Sequence, residues 1–133
     1  MLQRGEIPTA TASLDWKPIE QSATFLDERF DDAHGGFGMG MKFPEPMNYD
    51  VLLRNWKRKA DQMLDKSLTQ MSKGGIYDQL GGGFHRYATD RAWLVPHFEK
   101  MLYDNALLVK LFLDTFQATK QGMYHGIATE TLE

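Results

Sequence analysis

Between Gly74 and Asn105 the chain gathers two histidines, two arginines, three aspartates, three tyrosines and a tryptophan, with five glycines among them. A helix predicted to open at Pro96 would bring His97, Lys100 and Asp104 within about 60° of one another at ~100° per residue. Imidazole titrates near neutrality, so His97 is a candidate proton-transfer group, with Lys100 and Asp104 tuning it or holding an anionic substrate. A hydrogen-bonded network tying the helix to the glycine-rich loop explains the same three residues equally well. His85, Arg86, Tyr87 and Asp90 follow Gly81-Gly82-Gly83, where the backbone can bend close to a ligand or a neighbouring helix. Arg86 could clamp a carboxylate or phosphate, and Tyr87 or Trp93 could stack on a sugar face; loop packing is the competing explanation. Glu99 and Tyr103, on another side of the expected helix, read as structural.

Other chemistries are disfavoured. His85 and His97 lack second ligands at helix-pair spacing, so no metal site is expected. Gly36-Phe37-Gly38-Met39-Gly40 has no strand before it, so it is not a nucleotide loop, and no cofactor is implied. Without cysteine, disulfides, thiolate zinc sites and cysteine nucleophiles are absent. The net charge of -3 is spread over interspersed signs, and the most basic stretch, Arg54 to Lys59, is followed by Asp61 and Asp65. Nucleic acid is therefore a poor partner. No apolar run reaches the ~18 residues of a membrane span, and no signal-peptide layout is present, which makes a cytoplasmic location the default expectation.

The elements that must position these residues are helical. With 133 residues, 42% of them apolar and 25% charged, the chain suits one globular domain. Residues 1–14 carry no apolar period and are expected to be a mobile arm, leaving 15–133 as the folded part. Ile19, Ala23, Leu26 and Phe30 predict a helix over 18–31. Asn48 offers an N-cap for a second helix over 48–73, whose stripe is Leu52, Trp56, Ala60, Met63, Leu64, Leu68 and Met71 and whose end signal is Gly74-Gly75. Pro96 suits the first position of a third helix, over 96–120, which is apolar nearly all round in its later turns. A fourth is expected over 123–133, and no sheet is predicted.

Asp31-x-x-x-Gly35-Gly36-Phe37 recurs as Asp78-x-x-x-Gly82-Gly83-Phe84, offset by 47 residues, each time between helices and after an aromatic residue. Such a period belongs to repeated helix pairs, which stack their apolar faces and put equivalent loops on one rim. By this alignment Pro44 is matched by Pro96 after an insertion in the second loop.

Phe37-Gly38, Lys42-Phe43-Pro44, the run Gly75 to Phe84 and above all Trp93-Leu94-Val95-Pro96-His97-Phe98-Glu99-Lys100-Met101-Leu102-Tyr103-Asp104-Asn105 resemble the thioredoxin-like, spermatogenesis-associated protein family. The resemblance covers the chain from about Ile19 onward. It implies an all-α fold, the opening part of an (α/α)6 toroid similar to that of N-acylglucosamine 2-epimerases, with about two helix pairs and long glycine-rich loops. It also implies a thioredoxin-like domain elsewhere in the full-length protein. The family has Ala-Pro before Lys-Phe-Pro where this chain has Gly40-Met41. Two functions stay open: an epimerase-, isomerase- or hydrolase-like enzyme acting on a sugar or small metabolite, or a non-catalytic module docking the thioredoxin-like domain. Later helix pairs would be missing from this chain, so apolar faces would remain uncovered and self-association is expected.

Overall fold

The computed structural model describes residues 15–55 and 58–133. The arm expected over 1–14 and the stripe residue Trp56 lie outside the described residues. Among the described residues there are five helices, α1 (Lys17–Arg29), α2 (Pro46–Asn55), α3 (Arg58–Lys73), α4 (Leu102–Thr119) and α5 (Gly122–Leu132), with a minimal ribbon of β1 (Tyr87–Ala88) and β2 (Pro96–His97) between α3 and α4. The apolar periods place the core as expected. Leu26 of α1, Leu52 of α2, and Ala60, Met63, Leu64, Leu68 and Met71 of α3 are buried together with Leu108, Leu111 and Phe112 of α4. α4 packs along α5 and also against α2, so its apolar character on several sides has partners on several sides.

Two boundaries differ from expectation. Of the helix expected over 48–73, the described parts are α2 and α3, and residues 56–57 between them lie outside the described residues. α2 opens at Pro46, not after an Asn48 cap, because proline at the first position sacrifices an N–H that has no intrahelical acceptor anyway. The second correction matters most: Pro96 does not start a helix, and the predicted absence of sheet fails with it. Pro96 and His97 pair antiparallel with Ala88 and Tyr87, and α4 begins only at Leu102. The fixed φ of proline suits an extended strand as well as a first helical turn.

The two glycine loops are copies of one hydrogen-bonded structure. In the first, Phe30 and Phe37 form a bridge, Asp31 N–H donates to the Gly36 carbonyl (2.9 Å) and Gly35 N–H to the Asp31 carbonyl (2.8 Å). In the second, Tyr77 bridges Phe84, Asp78 N–H donates to Gly83 (2.9 Å) and Gly82 N–H to Asp78 (3.0 Å). Gly38 N–H reaches the Arg29 carbonyl (2.9 Å) as His85 N–H reaches Ile76 (2.8 Å). Paired left-handed residues make the turn in each case, Gly35 and Gly36 at φ 69° and 75°, Gly82 and Gly83 at 68° and 78°. Each aspartate folds its carboxylate back onto two loop N–H groups, Ala33 and His34 for Asp31, Leu80 and Gly81 for Asp78.

A lysine closes each copy. Lys42 Nζ donates to Asp31 Oδ2 (2.5 Å) and the Gly35 carbonyl (2.6 Å); Lys100 Nζ donates to Asp78 Oδ2 (2.6 Å) and the Gly82 carbonyl (2.7 Å). The lysines stand 11 and 22 residues after their aspartates. The structural counterpart of the first-loop lysine is thus Lys100, and the match of Pro44 with Pro96 is replaced by a longer insertion that holds the β1–β2 hairpin.

Candidate functional site

Two backbone hydrogen bonds seat the inserted hairpin on the first loop, Lys42 N–H to the Ala88 carbonyl (3.0 Å) and Ala88 N–H to the Lys42 carbonyl (2.8 Å). Lys42, Ala88 and Pro96 therefore form one row across three short extended segments. Their neighbours Phe43, Tyr87 and His97 form the next row. Phe43 lies 4.9 Å from Tyr87, ring centre to ring centre, and Tyr87 lies 4.8 Å from His97 with the planes only 7° apart. Phe43 and His97 are exposed and Tyr87 is half-buried between them.

Charge gathers at the His97 end of the row. Glu99 Oε2 stands 3.6 Å from His97 Nε2 and 3.2 Å from an Arg86 guanidinium nitrogen. Arg86 N–H also donates to the Glu99 carbonyl (2.6 Å). Asp104 occupies the first turn of α4, where burial pushes its carboxyl above the usual range while the charge of Arg86 draws it back. His85 sets its ring edge-on to Phe98 (5.2 Å), and its Nδ1 is buried with no hydrogen-bond partner among the described residues. Burial, with Lys100 adding to it against the pull of Asp78, holds this imidazole below its ordinary pKa.

The expected cluster of His97, Lys100 and Asp104 on one helical turn is not formed, because the three belong to β2, to the connection after it, and to α4. Lys100 is committed to Asp78 and Gly82. Trp93 cannot stack on a ligand: it is 0% exposed, with its indole N–H on the His34 carbonyl (2.9 Å) and its ring 5.5 Å from Lys42 Nζ. Asp90 spends its carboxylate on the N–H groups of Ala92, Leu94 and Val95, at 2.6 to 3.2 Å. Burial alone would raise that carboxyl, but these donors hold it below the usual range. Of the expected binding residues, Tyr87 is the middle of the row and Arg86 stands at its His97 end with His85 next to it in the chain, joined by Glu99, which reads as structural in the sequence. Phe43, Asp31, Lys42 and Arg91 were not among the candidates. Asp31 lies in the repeat and Lys42-Phe43 in the family motif, whereas Arg91 carried no sequence signal.

Among the described residues, no group of three or more histidine, aspartate or glutamate side chains is placed to hold a metal ion, and no helix is long and apolar enough to cross a membrane.

No family model matches the chain. Spermatogenesis-associated protein 20 of Mus musculus and that of Homo sapiens are each 38% identical over 136 aligned residues, which take in 96% of this chain and 17% of theirs. An uncharacterised protein of Caenorhabditis elegans is 42% identical over 100 residues, 69% of this chain and 14% of its own. The chain thus spans about a sixth of the length of the curated relatives it matches. In fold it is similar to a sugar epimerase from a ruminal bacterium (TM-score 0.70, 15% identity) and to cellobiose 2-epimerase from Bacillus thermoamylovorans B4167 (TM-score 0.70, 14% identity). Each alignment covers 87% of this chain and 35% of the epimerase, whose fold is an (α/α)6 toroid. The helical hairpins described above are accordingly part of such a toroid, about two helix pairs with long glycine-rich loops.

Proposed function

Because the chain is homologous to spermatogenesis-associated protein 20 and so belongs to that family, and because it folds as part of an epimerase-like toroid, we propose that the glycine-loop rim binds a carbohydrate or similar small metabolite in the full-length protein. The observation that carries this reading is the exposed row Phe43, Tyr87, His97 with the Glu99 carboxylate at its end. Aromatic edges and faces beside hydrogen-bonding groups suit the mixed apolar and hydroxylated surface of a sugar ring. The rim cations are already paired: Lys42 and Arg91 with Asp31, Arg86 with Glu99, Lys100 with Asp78. A neutral polyhydroxylated ligand fits these charges better than a phosphorylated one.

In the enzymatic form of the proposal His97 transfers a proton, Glu99 orients or stabilises its charged state, and Asp104 with its raised pKa is a second acid on the same rim. Such a pair serves epimerase, isomerase or hydrolase chemistry alike, and a shared toroid does not choose among them. A second reading, docking of a thioredoxin-like domain of the parent protein, is favoured by the apolar side chains beside the row, with Phe98 81% and Leu102 85% exposed.

The test is a thermal-shift screen of the full-length protein against neutral sugars and sugar phosphates, followed by a turnover assay. Stabilisation by a neutral sugar that His97→Gln abolishes supports the site. Turnover makes it an enzyme; binding without turnover makes it a binding module. No stabilisation by any sugar rejects the proposal.

A further inference from the structure

The two loop copies act as internal controls for each other, and one interaction in the first has no counterpart in the second. Both aspartates accept from two N–H groups of their own loop and from a lysine. Asp31 alone also accepts a guanidinium, with Arg91 Nε at 2.6 Å from Oδ2 and the second nitrogen at 2.7 Å from Oδ1. Closing the loop needs no such arginine, since the second copy closes without one. What the extra contact does accomplish is visible from where Arg91 sits. It lies three residues beyond Ala88, in the turn of the hairpin that carries Tyr87 and His97, and it fixes that turn to the buried carboxylate of the other loop.

We propose that Arg91, acting through Asp31, is a positioning residue for the Tyr87–His97 row. The hairpin is short, two residues per strand, and two-stranded ribbons of this kind hold little stability of their own. Its orientation is therefore set by what it is tied to. Lys42 binds its β1 edge through the Ala88 backbone, and Trp93 and Arg91 bind its turn, to the His34 carbonyl and to Asp31. The bidentate fork fixes direction as well as distance, which a single donor does not. Without it the turn keeps only single-point ties, the Trp93 indole on His34 and the Ile76 N–H on the Trp93 carbonyl (3.1 Å), and the stack of His97 on Tyr87 loosens.

The claim concerns the geometry of the row and not what the row binds, so its test needs no ligand. The chain has four histidines, which makes selective labelling of their ring carbons practical, and His97→Gln identifies the His97 signal. In the unsubstituted chain the parallel Tyr87 ring displaces the His97 ring-proton resonance upfield. Arg91→Met is expected to remove half or more of that displacement, with the helical circular dichroism unchanged; Arg91→Lys, which keeps the charge but not the fork, recovers only part of it. An Arg91→Met chain that is folded and shows the same His97 resonance as the unsubstituted one overturns the proposal. Should Arg91→Met fail to fold, Arg91→Lys decides by the same criterion. Failure of every sugar to bind would reject the proposed function and leave this inference standing, while an unchanged His97 signal rejects only the inference.

Discussion

Lys42 and Lys100 perform the same task in two different surroundings: each donates to the carboxylate of its loop aspartate and to the carbonyl of the glycine four residues beyond it. Lys42 and Asp31 have side chains with no exposed surface, whereas Lys100 and Asp78 are partly open to solvent. Lys42→Met should therefore cost about 2 kcal/mol, since it strips a charged donor from a buried carboxylate that keeps Arg91. Lys100→Met should cost much less, because water can solvate the partly exposed Asp78 carboxylate left behind. Urea unfolding of both variants measures the difference, and equal losses would contradict the burial argument.

Gly36 offers a backbone test. Its φ of 75° lies in the left-handed region, and a Cβ there would run into the Trp93 ring. Gly36→Ala should lose roughly 2 kcal/mol or more, strain and overpacking together. Gly38, at φ 84° with open space around it, should lose only the backbone part, about 1 kcal/mol. A Gly38→Ala variant as damaged as Gly36→Ala would show that the indole is not the obstacle.

The acid response follows from two depressed carboxyls. The Arg91 guanidinium, opposed by burial and aided by Lys42, keeps Asp31 well below the carboxylate range; the Lys100 ammonium does the same for Asp78, together with two backbone donors. A depressed folded pKa contributes stability that is present above the unfolded value of about 4 and is lost as the pH falls below it. Melting temperature should hold between pH 7 and 5 on this account and fall steeply below about pH 4. The fall should be shallower in Asp31→Asn, which starts from a lower stability.

His85 adds a contribution at higher pH. Burial lowers its pKa, so the folded chain resists protonating it while the unfolded chain takes up a proton near pH 6.5. That contribution is complete above about pH 6.5 and declines as the pH falls toward the folded value. Ring-proton titration should place His85 below the ordinary histidine midpoint, and His85→Phe should remove the corresponding slope in stability. A midpoint at or above 6.5 would refute it.

The rim also predicts association. Leu80, Leu94, Val95, Phe98, Leu102 and Met47 are exposed large apolar side chains. At ~25 cal/mol per Å2, covering a few hundred Å2 is worth several kcal/mol. We therefore expect the 133-residue chain to self-associate at high concentration, and Phe98→Ser with Leu102→Ser to reduce it. Light scattering that reports a monomer throughout would reject this expectation.

What the sequence determined by itself was the local part of the answer. Apolar spacing gave the stripes of α1 and α3, because a helix buries every third or fourth residue whatever lies opposite, and for α4 only that its later turns would be packed on several sides. The motif Asp-x-x-x-Gly-Gly-Phe gave both loops and their shared rim, because only glycine adopts paired left-handed turns cheaply and the aspartate reaches its own loop's N–H groups. Tertiary structure decided everything that depends on a distant partner. Pro96 is compatible with a strand or a helix start, and the Tyr87–Ala88 edge chose the strand, which drew His97 away from Lys100 and Asp104 and onto a tyrosine ring. Trp93 could have faced a ligand until the first loop, in place, enclosed it. Arg91 carried no local signal, since its partner Asp31 is 60 residues away and the bond exists only once the two loops meet on one rim.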